Sequence, residues 1–376
     1  MYDRERLQRT PPRLFGMPSP KRARMRAPAA VLGTATAVPE RWFSQAEILE
    51  QFGYRDDPVA RKMFLRNGME GRYLSLEPKS FFQTKAPGFQ QGLFQRAAVD
   101  LAEQSVRRLL DEQGVDPSRI EGLVTITSYG FVVPSISAYL VDRLGLRRDL
   151  ARLDLTGAGC LGSISLLEAA DGMIAKGRSG LVVAVSSEVG SIFMRDWPGD
   201  DKGAMVINAL MGDASVATLL GAGSHAEGPP RPRLLDTQYA TAADTLWAVD
   251  IRTGQDGTMS GHIDRKVPSI ARGLYQEAFG ALLDRHGLTR DDIRHWPIHP
   301  GSRVVIEAVA DALDLSESDI ETSREVLRKY GNVCSATALM CLHEQLERGG
   351  ARSGDYGILG GVGPGMTVGM TLFQYV

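Results

Sequence analysis

The stretch Ala151-Arg152-Leu153-Asp154-Leu155-Thr156-Gly157-Ala158-Gly159-Cys160-Leu161-Gly162-Ser163 reads as a buried strand, a glycine-rich turn and an apolar helix that begins at a cysteine. Gly157 and Gly159 permit backbone angles that other residues resist. A cysteine at a helix N-terminus faces unpaired N–H groups and the positive end of the helix dipole, and both favour thiolate over thiol. Thiolate is the form that attacks a thioester carbonyl. A small cysteine that simply packs well satisfies the same pattern, so the turn gains meaning from what surrounds it.

Three other segments bear on it. Ile298-His299-Pro300-Gly301-Ser302 puts a histidine at the end of a short strand, Trp296 to His299, where open α/β folds place their sites. It is either a structural histidine or the partner of a thiolate, able to lower the thiol pKa and to donate to an enolate oxygen. In Lys329-Tyr330-Gly331-Asn332-Val333-Cys334, the asparagine opens a helix that reaches Glu347. It serves there as an N-cap or as a neutral oxyanion donor. Gly360-Gly361-Val362-Gly363-Pro364-Gly365-Met366-Thr367 is a loop with little side-chain bulk between two apolar strands. It is an ordinary connection or a place where backbone approaches a site closely.

Working outward, strands and helices alternate along the whole chain. Strands are expected at Ala30 to Pro39, Gly122 to Ser128, Gly180 to Val189, Ala214 to Leu220, Leu234 to Tyr239, Tyr356 to Leu359 and Thr367 to Tyr375. Ser44 with Glu47 forms a capping box ahead of a short helix. Longer helices are expected from Phe94 to Glu112 and from Val267 to His286, with others after Pro134, Cys160 and Pro300. The run Gly221 to Pro232 is the clearest linker. The pattern implies an α/β fold of two similar halves, 29–225 carrying the cysteine and 233–376 carrying the histidine and asparagine.

The N-terminal residues 1–28 hold eight Arg or Lys against two acids, with Pro11, Pro12, Pro18 and Pro20 to break a helix, and read as a disordered basic extension. The chain as a whole has a formal net charge of -2, which does not suggest a nucleic-acid partner. No run of about 18 apolar residues is present, so no membrane span is expected. The three cysteines, Cys160, Cys334 and Cys341, form no disulfide framework, and the six histidines form no zinc-type cluster. A cytoplasmic protein without a metal or redox cofactor is the expectation.

Gly-Cys after one strand, His-Pro-Gly after another, Tyr-Gly-Asn opening a helix and Gly-x-Gly-Pro-Gly-x-Thr near the end occur together in this order. With Arg72-Tyr73-Leu74, Ser187-Glu188 and Gly212-Asp213-Ala214, the combination resembles the chalcone synthase and type III polyketide synthase family from about Ala30 to Val376. The resemblance implies a five-layered αβαβα thiolase-like fold and a homodimer. It implies acyl loading from coenzyme A onto Cys160, and decarboxylative Claisen condensation with malonyl-CoA assisted by His299 and Asn332. Coenzyme A thioesters would be substrates; an acyl carrier protein is an alternative donor.

The same resemblance implies further positions. Met211 and Gly261 fall where the family has gate phenylalanines. Ser128, Val133, Gly190, Phe193 and Cys334 fall at cavity positions, Val133 reaching the partner's cavity. Gly363, Pro364 and Gly365 belong to the glycine-rich loop, and Arg66 and Arg72 fall in a segment that contacts CoA phosphates. Glycine at 190 and 261 is expected to open a tunnel, and Phe193 to close part of the chamber. The expected activity is an aliphatic acyl-CoA starter extended a few times to a pyrone- or resorcinol-type product. Two other readings are a 3-oxoacyl-(acyl carrier protein) synthase III-like enzyme and a non-catalytic acyl-CoA-binding homologue.

Overall fold

The computed structural model describes residues 28–78, 80, 88–176, 180–194, 202–222, 229–253 and 259–376. The basic extension and residues 223–228 of the expected linker lie outside the described residues.

Thirteen strands are described: β1 Ala29–Ala37, β2 Trp42–Ser44, β3 Gly71–Tyr73, β4 Ile120–Thr127, β5 Ala151–Thr156, β6 Leu181–Val189, β7 Asp213–Ala222, β8 Pro232–Thr241, β9 Val249–Thr253, β10 Met259–Ile263, β11 Ile293–His295, β12 Tyr356–Gly363 and β13 Thr367–Tyr375. The helices are α1 Gln45–Gln51, α2 Pro58–Leu65, α3 Phe89–Gln113, α4 Ile136–Leu144, α5 Gly162–Ala175, α6 Lys202–Leu210, α7 Val267–His286, α8 Arg303–Leu313, α9 Glu321–Tyr330 and α10 Thr337–Arg348.

Nine strands join in the order β11-β12-β13-β8-β1-β7-β6-β4-β5. Read outward from the central β8–β1 pair, the two sides mirror each other. The first strand of each half lies at the centre, and its last strand comes next. The penultimate strand follows, then the strand behind the long helix. The β1–β8 contact is slight, Ala30 opposite Arg233, whereas β1–β7 and β8–β13 pair along most of their length.

Three apolar clusters fix the layers. One packs α3 and α4 on the outer face of the first half. Another packs α7 and α8 on the outer face of the second half. Between them, α5 and α10 share a cluster fed by β4, β6 and β7 from one side and by β12 and β13 from the other. Helix, sheet, helix, sheet, helix is therefore the layering, as expected of a thiolase-like fold.

Local expectations meet this frame unevenly. The Ser44–Glu47 capping box is formed in full, and α7 spans Val267–His286 as expected. The strand expected at 296–299 is instead β11, Ile293–His295; Pro297 lacks an N–H, and only Ile298 makes a further bridge, to Gly360. The expected loop from Gly360 is mostly strand, since β12 runs to Gly363. The helix expected from Asn332 begins at Thr337, after a 3-10 turn over Cys334–Ala336. β5, read as buried, is the outermost strand, with Arg152, Leu153 and Asp154 exposed.

Arg72 corrects a site expectation. It is 0% exposed, so it cannot touch a CoA phosphate. Its Nη1 donates to Gln45 Oε1 at 2.6 Å and to Ala209 O at 2.7 Å, and its Nη2 donates to Asn208 O. These carbonyls belong to the last turn of α6, where a cation complements the helix dipole. Burial pulls the guanidinium pKa down to about 9, with Asp213 acting against the drop. Arg72→Met removes three buried hydrogen bonds from the guanidinium and should lower stability by about 3 kcal/mol, with Arg72→Lys recovering only part. Urea unfolding measures this. Unchanged unfolding with a raised KM for CoA thioesters would return Arg72 to a substrate-contact role.

Candidate active site

Strand β12 is the ruler of the site. Gly360 O accepts the His299 N–H at 2.8 Å, which fixes the histidine backbone. One residue on, a Cβ at Gly361 would lie 3.0 Å from Cys160 O, and one at Gly363 would lie 2.5 Å from Ala158 O. Glycine at these positions lets β12 of the second half lie directly on the cysteine turn of the first. Gly159, at φ 56°, has no room for a side chain beside Pro364.

Asn332 is anchored separately. Its N–H donates to Leu210 O at 2.9 Å, and its carbonyl accepts from Gly212 N–H at 3.0 Å. Its side-chain Nδ2 donates to Gly301 O at 3.0 Å, and its Oδ1 accepts from Cys334 N–H at 2.9 Å. That Oδ1 faces the Cys160 sulfur at 3.9 Å. The expected donation to an oxyanion therefore falls to the second N–H of Nδ2. The local turn made by Oδ1 is also why the helix starts later than Asn332.

Cys160 is half-buried, whereas His299 and Cys334 are buried. The Cys160 and Cys334 sulfurs lie 3.7 Å apart. A hydrogen bond from Cys334 is the leading cause that holds the Cys160 thiol well below its ordinary pKa; the charge and hydrogen bond of His299, and Asn332, add to it against the effect of burial. Burial pushes Cys334 the opposite way, well above its ordinary value. The two sulfurs are thus driven in opposite directions, Cys160 toward thiolate and Cys334 toward thiol. His299 Nδ1 is buried with no protein partner among the described residues.

Glu188, seen in the sequence only as part of a family pattern, lies behind this group. It is 0% exposed and accepts from Ser128 N–H at 2.9 Å and from Ser335 Oγ. Burial pushes its carboxyl up to about 7.

A cavity of about 380 Å³ opens onto Cys160, His299 and Asn332. Of the positions named from the sequence, Met211, Gly261, Phe193, Cys334, Gly363 and Pro364 line it. Ser128, Val133, Gly190 and Gly365 do not. Val133 is 68% exposed on the outer surface, and Arg66 is exposed at the end of α2, outside the cavity lining.

Among the described residues, the space beside both glycines is taken rather than open. A Cβ at Gly190 would meet Gly212 O at 2.9 Å, Met211 Cβ at 3.0 Å and Tyr129 Cε2 at 3.3 Å, and one at Gly261 would meet Ile207 Cδ1 at 3.0 Å. Neighbours from other elements occupy the space that each glycine vacates. Tyr129 and Ile207 are lining residues that the sequence reading missed. Both come from segments without a motif, although Ile207 lies one helical turn before Met211.

No group of three or more His, Cys, Asp or Glu able to hold a metal occurs among the described residues. No helix among them is long and apolar enough to cross a membrane. The sulfur pair gives a direct test. Cys334→Ala removes the leading stabiliser of the thiolate, so the midpoint of Cys160 alkylation against pH should move upward. Iodoacetamide labelling followed by mass spectrometry reads it; an unmoved midpoint would remove Cys334 from the account.

Comparison with known proteins agrees with this geometry. A family model described as FAE1/type III polyketide synthase-like protein matches residues 40–283, and one for the C-terminal domain of chalcone and stilbene synthases matches residues 241–376. A 3,5-dihydroxyphenylacetyl-CoA synthase from Streptomyces toyocaensis is 32% identical, covering 96% of this chain and 92% of its own. A 1,3,6,8-tetrahydroxynaphthalene synthase from Streptomyces peucetius subsp. caesius is 27% identical, covering 92% and 93%. The crystal structure of PKS-I from the brown alga Ectocarpus siliculosus superposes with a TM-score of 0.86 over 95% of this chain and 100% of that one, at 21% identity, and shares the fold. Sequence along nearly the whole chain, fold and site thus agree: the protein belongs to the type III polyketide synthases, acyltransferase-type enzymes of decarboxylative condensation.

Proposed function

We propose that Cys160 takes an acyl group from a CoA thioester and that malonyl-CoA extends it to a resorcinol-type product. The observation that carries this reading is a thiol held low by Cys334, His299 and Asn332 at the floor of an apolar cavity. The Cys160 thiolate attacks the thioester carbonyl, and the oxyanion takes hydrogen bonds from His299 and from Asn332 Nδ2. The carbonyl re-forms and CoA leaves as its thiolate. Malonyl-CoA then loses carbon dioxide, and the same two donors hold the enolate oxygen. The enolate carbon attacks the Cys160 thioester; a carbon–carbon bond forms and the Cys160 thiolate departs. These steps call for positioned donors and a nucleophile, with coenzyme A thioesters as substrates and no resident cofactor.

The filled glycine positions favour a compact starter over a long aliphatic one. The Streptomyces toyocaensis relative is named for a product that is a CoA thioester bearing a 3,5-dihydroxyphenyl ring. Such a ring is a resorcinol, which favours this product type over a pyrone. Three free cysteines suit a reducing, cytoplasmic location.

We further propose a homodimer. β5 offers an unpaired edge with Leu153 39% exposed, and Phe131 and Val133 beside it are 72% and 68% exposed. A second copy covering this edge by two-fold symmetry would bury all three. The double variant Leu153→Arg, Val133→Arg should then sediment near the chain mass of 40.9 kDa, whereas wild type sediments near twice that. A monomeric wild type would sink this part.

Intact-protein mass spectrometry with a panel of acyl-CoA and acyl-carrier-protein thioesters tests the chemistry. An acyl adduct should form on wild type and be absent from Cys160→Ala. Adducts from carrier-protein donors alone would overturn the CoA reading, and no adduct at all would overturn the covalent one.

A further inference from the structure

The wall of the cavity beside Cys334 is built around a residue with no motif. Tyr129 lies just beyond β4 and is 5% exposed. Its ring meets Phe193 edge-on, with centroids 4.9 Å apart and planes at 77°. Its hydroxyl donates to Met211 Sδ at 3.1 Å. Phe193 follows the end of β6 and Met211 precedes β7, so one ring ties the ends of three strands together at the cavity wall.

Gly190 is what admits that ring. A Cβ there would stand 3.3 Å from Tyr129 Cε2 and 3.0 Å from Met211 Cβ, and would compete with both for one space. Gly190, Phe193 and Met211 thus share one physical explanation: together they form the socket of Tyr129. The rest of the lining includes α6 and the β9–β10 hairpin, through Val206, Ile207, Leu210, Val249, Ile251 and Ile263, with the polar Asp250 and His262 among them.

We propose that Tyr129 determines specificity by closing the chamber beside Cys334, so that a chain held on Cys160 grows only toward α6 and β9–β10 and stops early. This rests on the reading of Cys160 as the acyl carrier. Each extension adds two carbons and an oxygen, so the space of the phenol group corresponds to roughly two further units at close-packed density. Removing the ring opens that space without touching Cys160, His299 or Asn332.

The experiment compares wild type, Tyr129→Ala, Tyr129→Leu and Tyr129→Phe with the starter identified by acyl loading and with malonyl-CoA, reading product masses by liquid chromatography and mass spectrometry. Tyr129→Ala and Tyr129→Leu should raise the ratio of longer to native-length product by about tenfold, the scale on which apolar pockets discriminate small groups. Tyr129→Phe keeps the ring and should keep the wild-type distribution. Tyr129→Leu retains an apolar contact for Phe193 and carries the test if the alanine variant does not fold.

Acyl loading of every variant is measured alongside. Normal loading with an unchanged length distribution in Tyr129→Leu would overturn the assignment of Tyr129 alone. A length shift in Tyr129→Phe equal to that in Tyr129→Leu would also overturn it, because the hydroxyl rather than the ring would then be the determinant. Failure of wild type to load any acyl group would overturn the assignment together with the polyketide reading.

Discussion

The site depends on a steric allowance: the backbone of β12 lies against the backbone of the Cys160 turn. Gly361 and Gly363 have no side chains to hold the two segments apart, and Gly159 takes a left-handed angle beneath Pro364. Because Gly360 in the same strand binds the His299 N–H, the distance from histidine to cysteine is set by consecutive residues of one strand. A methyl group at 361 would press on the Cys160 carbonyl, and one at 363 would have to displace the Ala158 carbonyl, so either would push the two segments apart. The two halves touch only slightly through β1 and β8. Their relative placement rests on this contact and on the shared apolar layer of α5 and α10.

Buried polar groups support that geometry from behind. Arg72 holds the last turn of α6, and the next residues of that segment bind Asn332 on both sides. Asp213 accepts from Ser191 N–H at 2.8 Å and from Ser75 N–H at 2.7 Å, joining the end of β6 to the loop after β3. Glu188 joins Ser128 to Ser335. Environment drives titratable groups in opposite directions here. Donors lower Cys160, whereas burial raises Glu188 and Cys334. The surroundings thus favour charge at the Cys160 sulfur and oppose it on Glu188 and Cys334.

The sequence made the frame legible where a residue's job is local. Ser44 and Glu47 cap a helix within one turn, and the span of α7 follows from its own apolar spacing. The order of Gly-Cys, His-Pro-Gly and Tyr-Gly-Asn located the reactive group for the same reason, because each motif shapes its own turn. Reading failed where the job is done by something distant in the chain. Arg72 looks like a surface cation until Asn208 and Ala209 are brought against it. Gly190 and Gly261 look like openings until Tyr129 and Ile207 arrive to fill them. β5 reads as buried because it leads into the cysteine turn, yet among the described residues it has a neighbouring strand on one side only.

The bridge between Met211 and Asn332 has a consequence for how such enzymes diversify. The main chain on either side of Met211 is hydrogen-bonded to Asn332, so the backbone at position 211 is as fixed as the reactive centre itself. Its side chain, in contrast, lines the cavity and is held by the Tyr129 hydroxyl rather than by Asn332. A substitution at 211 can remodel the binding surface while leaving the asparagine where it is. Descendants of one ancestor can thereby exchange substrates by single steps, each passing through a working enzyme, because variation and conservation are assigned to different atoms of the same residue.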